Sequence, residues 1–182
     1  MLPTNILYRT FFIRAGQYGT AFTLDIDGQE FLITAAHLLD EVNGSKEIKV
    51  LGNGVWRTIA YQVVGAGRGE LDIAVLKIQE RLTDPVFVIG AKFGDCYLGQ
   101  DVFFLGFPYK MWVDYGPTIA GQAGAFLKKG TLSACMPGPP KALYVDAINN
   151  EGFSGGPLYY FRNGNMQDPY IAGVVSKERL KN

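Results

Sequence analysis

The 182-residue chain carries 17 basic and 17 acidic side chains, and 48% of its residues are apolar. This length suits one domain or two tightly packed halves, and the apolar content is ample for a core. A nucleic-acid-binding protein would normally show a basic excess or a basic stripe. The only basic runs, Lys128-Lys129 and Lys177 to Lys181, are short enough to be solvated surface, so no nucleic-acid partner is expected.

The N-terminal segment is predicted to be the first strand. Its apolar run, Ile6 to Arg14, is too short and too interrupted by arginine for a signal core or a membrane span. The only two cysteines, Cys96 and Cys135, do not make the disulfide framework of a secreted protein. We therefore expect a cytoplasmic location without membrane contact, provided that Met1 is the native start.

The rest of the chain alternates short apolar segments with turn residues such as Asp27-Gly28, Asn53-Gly54 and Asn163-Gly164. The segments are rich in Val, Ile, Phe, Tyr and Thr, which favour strands. This pattern predicts an all-β protein with little helix, either a barrel or a sandwich. The predicted strands are Tyr8 to Arg14, Thr20 to Asp25, Phe31 to Thr34, Ile48 to Leu51, Thr58 to Val64, Ile73 to Ile78, Val102 to Leu105, Gly130 to Met136, Ala142 to Val145, Pro157 to Phe161 and Ile171 to Val175.

Three polar residues stand at the ends of such segments. His37, the only histidine, follows an apolar run, Asp72 precedes another, and Ser154 lies in the glycine-rich run Gly152 to Pro157, which indicates a turn that displays a hydroxyl. A serine nucleophile needs a base, and the base needs a third group to orient it. Each residue alone also fits a structural role, as a hydrogen-bonded histidine, a turn aspartate or an ordinary Gly-Ser-Gly turn.

Together, in the chain order His, Asp, Ser, these segments resemble the chymotrypsin-like serine peptidases, and most closely the bacterial HtrA/Deg-type and related intracellular trypsin-like peptidase domains. The resemblance covers nearly the whole chain. It implies two packed six-stranded antiparallel β-barrels, with His37 and Asp72 in the first (about residues 1–92) and Ser154 in the second (about residues 93–182), and a boundary within Gly90 to Asp95. It rests on the segments Gly19 to Phe22, Ile33 to Leu39, Leu71 to Leu76, Gly130 to Ala134 and Gly152 to Pro157.

The resemblance also implies roles. Ser154 attacks a peptide carbonyl, His37 transfers its proton, and Asp72 orients the imidazole, while the backbone amides of Gly152 and Ser154 bind the oxyanion. The expected activity is that of a serine endopeptidase acting on a protein or peptide substrate. Two alternatives stay open: a module that binds extended peptides along Ile171 to Ser176 without cutting them, and the protease effector of a larger protein with attached or partner regulatory domains.

No cofactor or metal is expected, because one histidine and two widely spaced cysteines match no recognised ligand pattern. Both cysteines are interpreted as small buried fillers. The loop from Phe107 to Ala125 has no clear periodicity and either gates the active site or packs on the surface of the second barrel.

Three positions near Ser154 refine what the resemblance implies. Phe153 stands where digestive-type relatives have an aspartate that pairs with a freed N-terminus, so no proteolytic activation is implied. Ile148 matches the base of the specificity pocket and favours an apolar P1 residue. Ser176 matches the strand that pairs with substrate, but only Lys177 to Asn182 follow it. The second barrel is therefore expected to be incomplete, either because the chain is truncated or because its pocket is unusually open.

Overall fold

The structure is a computed structural model that describes residues 3–39, 46–67, 71–119 and 121–176. Apart from one short helix, α1 (Thr4–Tyr8), and 3₁₀ turns at Ala36–Leu38, Pro108–Lys110, Gly116–Ile119 and Arg162–Gly164, its regular elements are strands, which confirms the all-β prediction. The strands are β1 (Thr10–Ala15), β2 (Gln17–Ile26), β3 (Gln29–Thr34), β4 (Glu47–Gly52), β5 (Val55–Gly67), β6 (Ile73–Ile78), β7 (Gly90–Ala91), β8 (Asp101–Gly106), β9 (Phe126–Met136), β10 (Ala142–Asp146), β11 (Pro157–Phe161) and β12 (Pro169–Val174).

The first six strands form a closed antiparallel barrel in the order β1-β2-β3-β6-β5-β4, which β1 closes by pairing with β4. Alternate side chains of each strand point inward, because successive residues of a strand face opposite sides. Ile13, Leu32, Ile48 and Leu76 fill the interior and are essentially inaccessible to solvent. Closure leaves this barrel without an exposed strand edge.

The second half is a sheet of six strands in the order β10-β9-β8-β11-β12-β7. Within the described residues it stays open, with β10 and β7 at its edges. β7 lies in the predicted boundary segment and pairs in parallel with β12, so it belongs to this second sheet. The second barrel is expected from the sequence to be incomplete after Ser176. The residues concerned, Lys177 to Asn182, lie outside the described residues.

The two halves share a core. Phe12 and Phe22 of the barrel pack with Leu105, Phe107 and Tyr159 of the second half, and the rings of Phe12 and Phe107 stack with centroids 4.9 Å apart. Each large side chain buried in this way contributes roughly 1.5–3 kcal/mol. The two halves therefore pack against each other through a common apolar core.

Two elements differ from the sequence-based prediction. The predicted first strand begins at Thr10, because Ile6 and Leu7 form a buried helical turn instead, and the Thr10 hydroxyl donates to the Ile6 carbonyl oxygen at 2.8 Å. The strand β7 was not predicted, because two residues are too few to show any periodicity. Among the described residues, no helix has both the length and the apolar character needed to span a membrane.

Candidate active site

Strand pairing in the barrel brings His37 to Asp72. β3 and β6 are antiparallel neighbours with Thr34 opposite Ala74, so the end of β3 lies beside the start of β6. His37 follows β3 in a 3₁₀ turn, and Asp72 immediately precedes β6. The His37 backbone N–H donates to Asp72 Oδ1 at 2.9 Å, and His37 Nδ1 lies 2.5 Å from Asp72 Oδ2. The aspartate thus fixes both the backbone and the ring of the histidine.

Asp72 is suited to remain ionised in this position. It is only 4% exposed, and the Ser176 hydroxyl donates to its Oδ2 at 2.8 Å. Burial raises the pKa of Asp72, but hydrogen bonds from His37 and Ser176 outweigh burial and hold that pKa below its usual value. A carboxylate facing Nδ1 selects the tautomer protonated there, which leaves Nε2 free to accept a proton.

The turn that carries Ser154 requires glycine. Gly155 has φ +84°, and a Cβ there would overlap the carbonyl oxygen of Thr20. The turn is also tied to the first barrel, because the Thr20 N–H donates to the Ser154 carbonyl at 2.9 Å and the Thr20 hydroxyl donates to the Gly152 carbonyl at 2.7 Å. Thr20, which lies in β2 of the other half, therefore positions the turn that carries Ser154.

Ser154 and His37 line one cleft of about 250 Å³, together with Tyr18, Lys110 and Glu151. Within the described residues, the Ser154 hydroxyl donates to the carbonyl of Ser176 at 3.2 Å rather than to His37. Catalytic hydrogen bonds are often long in enzymes without substrate and tighten when substrate binds. The structure thus places the Ser154 hydroxyl and the His37 side chain in the same cleft, without a hydrogen bond between them.

The backbone before Ser154 has a conformation that requires glycine. Gly152 has φ +101°, and a Cβ there would overlap the Phe107 carbonyl oxygen, so only glycine fits. The Glu151 carbonyl accepts a hydrogen bond from the Tyr109 N–H at 3.1 Å. The N–H groups of Gly152 and Ser154 have no hydrogen-bond partner among the described residues. Both are therefore available to an oxyanion.

The two residues predicted to bind substrate, Ser176 and Ile148, have different surroundings. Ser176 lies just after β12, where it contacts both Asp72 and Ser154. The side chain of Ile148 is 80% exposed, so it stands in solvent rather than in a closed pocket. Its assignment to the base of the specificity pocket remains a prediction.

The loop from Phe107 to Ala125 has a buried part and an exposed part. Ile119 packs in the core shared by the two halves, whereas Tyr109 is exposed and Lys110 lines the cleft. The loop therefore both flanks the active site and packs on the body of the protein.

Two functional contacts were missed by sequence reasoning. The role of Thr20 depends on bonds that span more than a hundred residues, so no local pattern indicates it. Lys128, interpreted as solvated surface, instead bonds to the segment before Gly152. The available signal was the spacing of Lys128, Gly130 and Leu132, because alternate residues of a strand lie on the same face and the last two are buried.

Among the described residues, no group of three or more His, Cys, Asp or Glu side chains could hold a metal ion.

Comparisons with known proteins identify the family and the fold. The sequence matches the family described as "Trypsin-like peptidase domain" over residues 19–166, and no curated protein matches it significantly. The fold is similar to three solved proteases. They are the inactive form of the Rv3671c protease of M. tuberculosis H37Rv (21% identity, TM-score 0.62, 94% of this chain and 78% of that one), a serine endoprotease from Yersinia pestis (21%, 0.64, 94% and 54%), and Deg5 (24%, 0.57, 85% and 75%).

At these identities the solved structures show the fold alone, and this chain spans only about half the length of the Yersinia protein. The family match covers most of the chain, including His37, Asp72 and Ser154. The chain therefore belongs to the family of trypsin-like peptidase domains.

Proposed function

We propose that the protein is a serine endopeptidase that uses His37, Asp72 and Ser154 as a catalytic triad and forms an acyl-enzyme intermediate. The observation that carries this proposal is the double hydrogen bond between His37 and Asp72, in the same cleft as the Ser154 hydroxyl. A solvated structural histidine has no need of a buried carboxylate that fixes both its backbone and its ring.

In the first step, Ser154 Oγ attacks the peptide carbonyl while His37 Nε2 takes the hydroxyl proton. The buried Asp72 carboxylate stabilises the imidazolium that forms. His37 then passes the proton to the departing amine, and the acyl group remains on Ser154. A water molecule, deprotonated by the same imidazole, releases the acyl group and restores the enzyme.

The tetrahedral intermediate carries a negative charge on the former carbonyl oxygen. The amides of Gly152 and Ser154 are placed to donate to it, and loss of one such donor typically costs about 10²–10³ in kcat. Because these donors belong to a backbone held by Thr20 and Phe107, they need little reorganisation during the reaction.

The substrate is proposed to be an extended peptide or protein segment. Its acyl side pairs with the chain from β12 to Ser176, and Ile148 favours an apolar P1 residue. The part of the substrate that leaves as the amine then lies over Tyr18, Lys110 and Glu151, on the other side of Ser154. The reaction uses no cofactor, and the cytoplasmic location proposed from the cysteines is compatible with a protein substrate.

A peptide-binding module without activity is the second candidate. The observation in its favour is that Ser154 donates to Ser176 rather than to His37. The two functions differ in one property, the reactivity of Ser154.

Labelling by a fluorophosphonate tests the proposal without a known substrate. The parent protein should be labelled and should cleave casein, whereas Ser154→Ala should lose both properties, since loss of a triad serine costs on the order of 10⁶ in kcat. Ser133→Ala, which removes an exposed serine of β9, is the matched control and should behave like the parent. A folded parent that binds peptides but is never labelled would establish the binding module instead.

A further inference from the structure

Lys128 and Lys129 are neighbours on β9 with opposite surroundings. Lys129 is exposed and pairs with Asp101 at 2.8 Å. Lys128 is half-buried and faces the same side as Gly130 and Leu132, both of which are buried. A lysine on the packed side of a strand is costly unless its ammonium is bonded. The position of Lys128 therefore calls for a structural or functional reason.

The ammonium of Lys128 bonds to the segment that leads to the nucleophile. It donates to the Ile148 carbonyl at 2.6 Å and to the Asn150 side-chain oxygen, and it lies 5.0 Å from the centroid of the Phe153 ring. Within the described residues Lys128 has no carboxylate partner, and burial lowers its pKa from the usual value. Its charge is thus compensated by a carbonyl, an amide and an aromatic face.

A chain of contacts connects this ammonium to the oxyanion site. Asn150 Nδ2 donates to the Tyr109 hydroxyl at 3.0 Å, and the Tyr109 N–H donates to the Glu151 carbonyl at 3.1 Å. The peptide bond between Glu151 and Gly152 is planar, with its C=O and N–H on opposite sides. Holding the Glu151 carbonyl against Tyr109 therefore directs the Gly152 N–H away from Tyr109.

We propose that Lys128 is a positioning residue for the oxyanion site: its ammonium holds residues 148–153 so that the Gly152 N–H faces the substrate carbonyl. The inference rests on the proposed peptidase function. In zymogen-type relatives, a freed N-terminal amine secures this segment by pairing with an aspartate. Here Phe153 replaces that aspartate, and an internal lysine approaches the same residue from β9.

The test compares Lys128→Met, Lys128→Arg and the matched control Lys129→Met. Methionine keeps an apolar stem of similar length against Phe153 but has no donor. We expect Lys128→Met to lower kcat and the fluorophosphonate labelling rate about 10²-fold, the cost of one oxyanion donor. KM and the melting temperature should stay near the parent values. Lys128→Arg keeps the charge and the donors and should restore the rate to within about tenfold of the parent. Lys129→Met should match the parent.

A parent-like labelling rate for Lys128→Met would overturn the inference. A fall in that rate no larger than the unfolded fraction of the variant explains would overturn it as well. If Lys128→Met does not fold, Asn150→Ala is the second test, because it removes the hydrogen bonds that join Asn150 to Lys128 and to Tyr109. This variant should lower kcat by a similar factor. A parent-like rate in Asn150→Ala would also overturn the inference. If the parent itself is not labelled, the proposed peptidase function has failed, and the positioning role fails with it.

Discussion

The two halves of the molecule hold the residues of the proposed triad in different ways. In the closed barrel, His37 and Asp72 are adjacent because β3 and β6 are paired neighbours, and both residues lie within a few positions of those strands. In the open second sheet, Ser154 lies in a turn that depends on distant contacts, since Thr20 of the other half bonds to its carbonyl.

The difference indicates where activity is vulnerable. The positions of His37 and Asp72 depend on regular pairing between β3 and β6, which resists local change. Ser154 and the proposed oxyanion donors depend on a loop whose glycines, Gly152 and Gly155, fit against Phe107 and Thr20. We therefore expect substitutions in the barrel either to lower kcat by removing a reacting group or to lower the free energy of unfolding. Substitutions in the second half should lower kcat by displacing the backbone around Ser154.

The largest effect in this comparison is expected from Asp72→Asn. The amide keeps the size of the side chain but favours the wrong imidazole tautomer, and in a studied triad the same change costs about 10⁴ in kcat. Steady-state kinetics on a peptide substrate, with circular dichroism as a check of folding, measures this. Asp27→Asn, in an exposed turn, is the matched control and should be silent. A loss of less than about tenfold in Asp72→Asn would argue against Asp72 as the orienting group.

Gly152→Ala should have the next largest effect. A Cβ at φ +101° meets the Phe107 carbonyl, so the backbone must move and the Gly152 N–H loses its direction. We expect kcat to fall by about 10²–10³, as for loss of one oxyanion donor. The control is Gly138→Ala, where a Cβ has open space and no positive φ, so its rate should equal that of the parent. Equal labelling rates for both variants would contradict the role of Gly152.

The sequence predicted much of this architecture, because strands with β-branched and aromatic residues leave a clear local signal. Every predicted strand overlaps an observed one. The helix at Thr4–Tyr8 was missed, since Ile6 and Leu7 continue without a break into the apolar residues of β1, and five residues are too few to show a helical period. Local patterns therefore define the strands well and their ends poorly.

For the site, the sequence alone yielded residue types and chain order, and the resemblance supplied their roles. The pairing of His37 with Asp72 follows from the β3–β6 register, and these residues were placed together from the sequence only through the resemblance, because β4 and β5 separate the two strands in the chain. The contacts of Thr20 and Lys128 are different, because they join segments that no periodicity relates. The contacts that hold the segment around Ser154 were therefore found only in the structure.

Asp25→Asn tests whether the first half can lose stability without losing its chemistry. The Arg9 side chain is almost fully buried and contacts Asp25 Oδ2 at 2.5 Å, and Arg81 contacts Oδ1 at 2.5 Å. Removal of the carboxylate leaves a buried cation poorly compensated, and we expect a loss of about 2–3 kcal/mol in the free energy of unfolding. Urea denaturation measures it. The kcat of the folded protein should stay at the parent value, and a large fall would contradict the separation of stability from chemistry.

The same variant has a pH signature. Burial raises the pKa of Asp25, but hydrogen bonds and charges from Arg9 and Arg81 outweigh it, so the pKa in the folded protein lies below the reference value of 3.8. The stabilisation is therefore complete above 3.8 and disappears as the pH falls through the lower folded value. The difference between parent and Asp25→Asn should be full at neutral pH and should shrink in strong acid. A difference that grows in acid would contradict the ion pair.

The smallest effect is expected from trimming the first two residues. The buried Phe153 ring packs against the backbone of Gly106 and, at 5.3 Å between centroids, against Phe104, with the Lys128 ammonium over its face. A freed N-terminal amine finds no carboxylate at this position, so it has no means of ordering the oxyanion segment. Fluorophosphonate labelling rates of the full and trimmed chains should agree within about twofold, since an oxyanion donor gained or lost changes the rate by 10²–10³. Trimmed Ser154→Ala shows that the label reports the serine. A jump of that size on trimming, with unchanged unfolding, would mean that the N-terminus activates this protein after all.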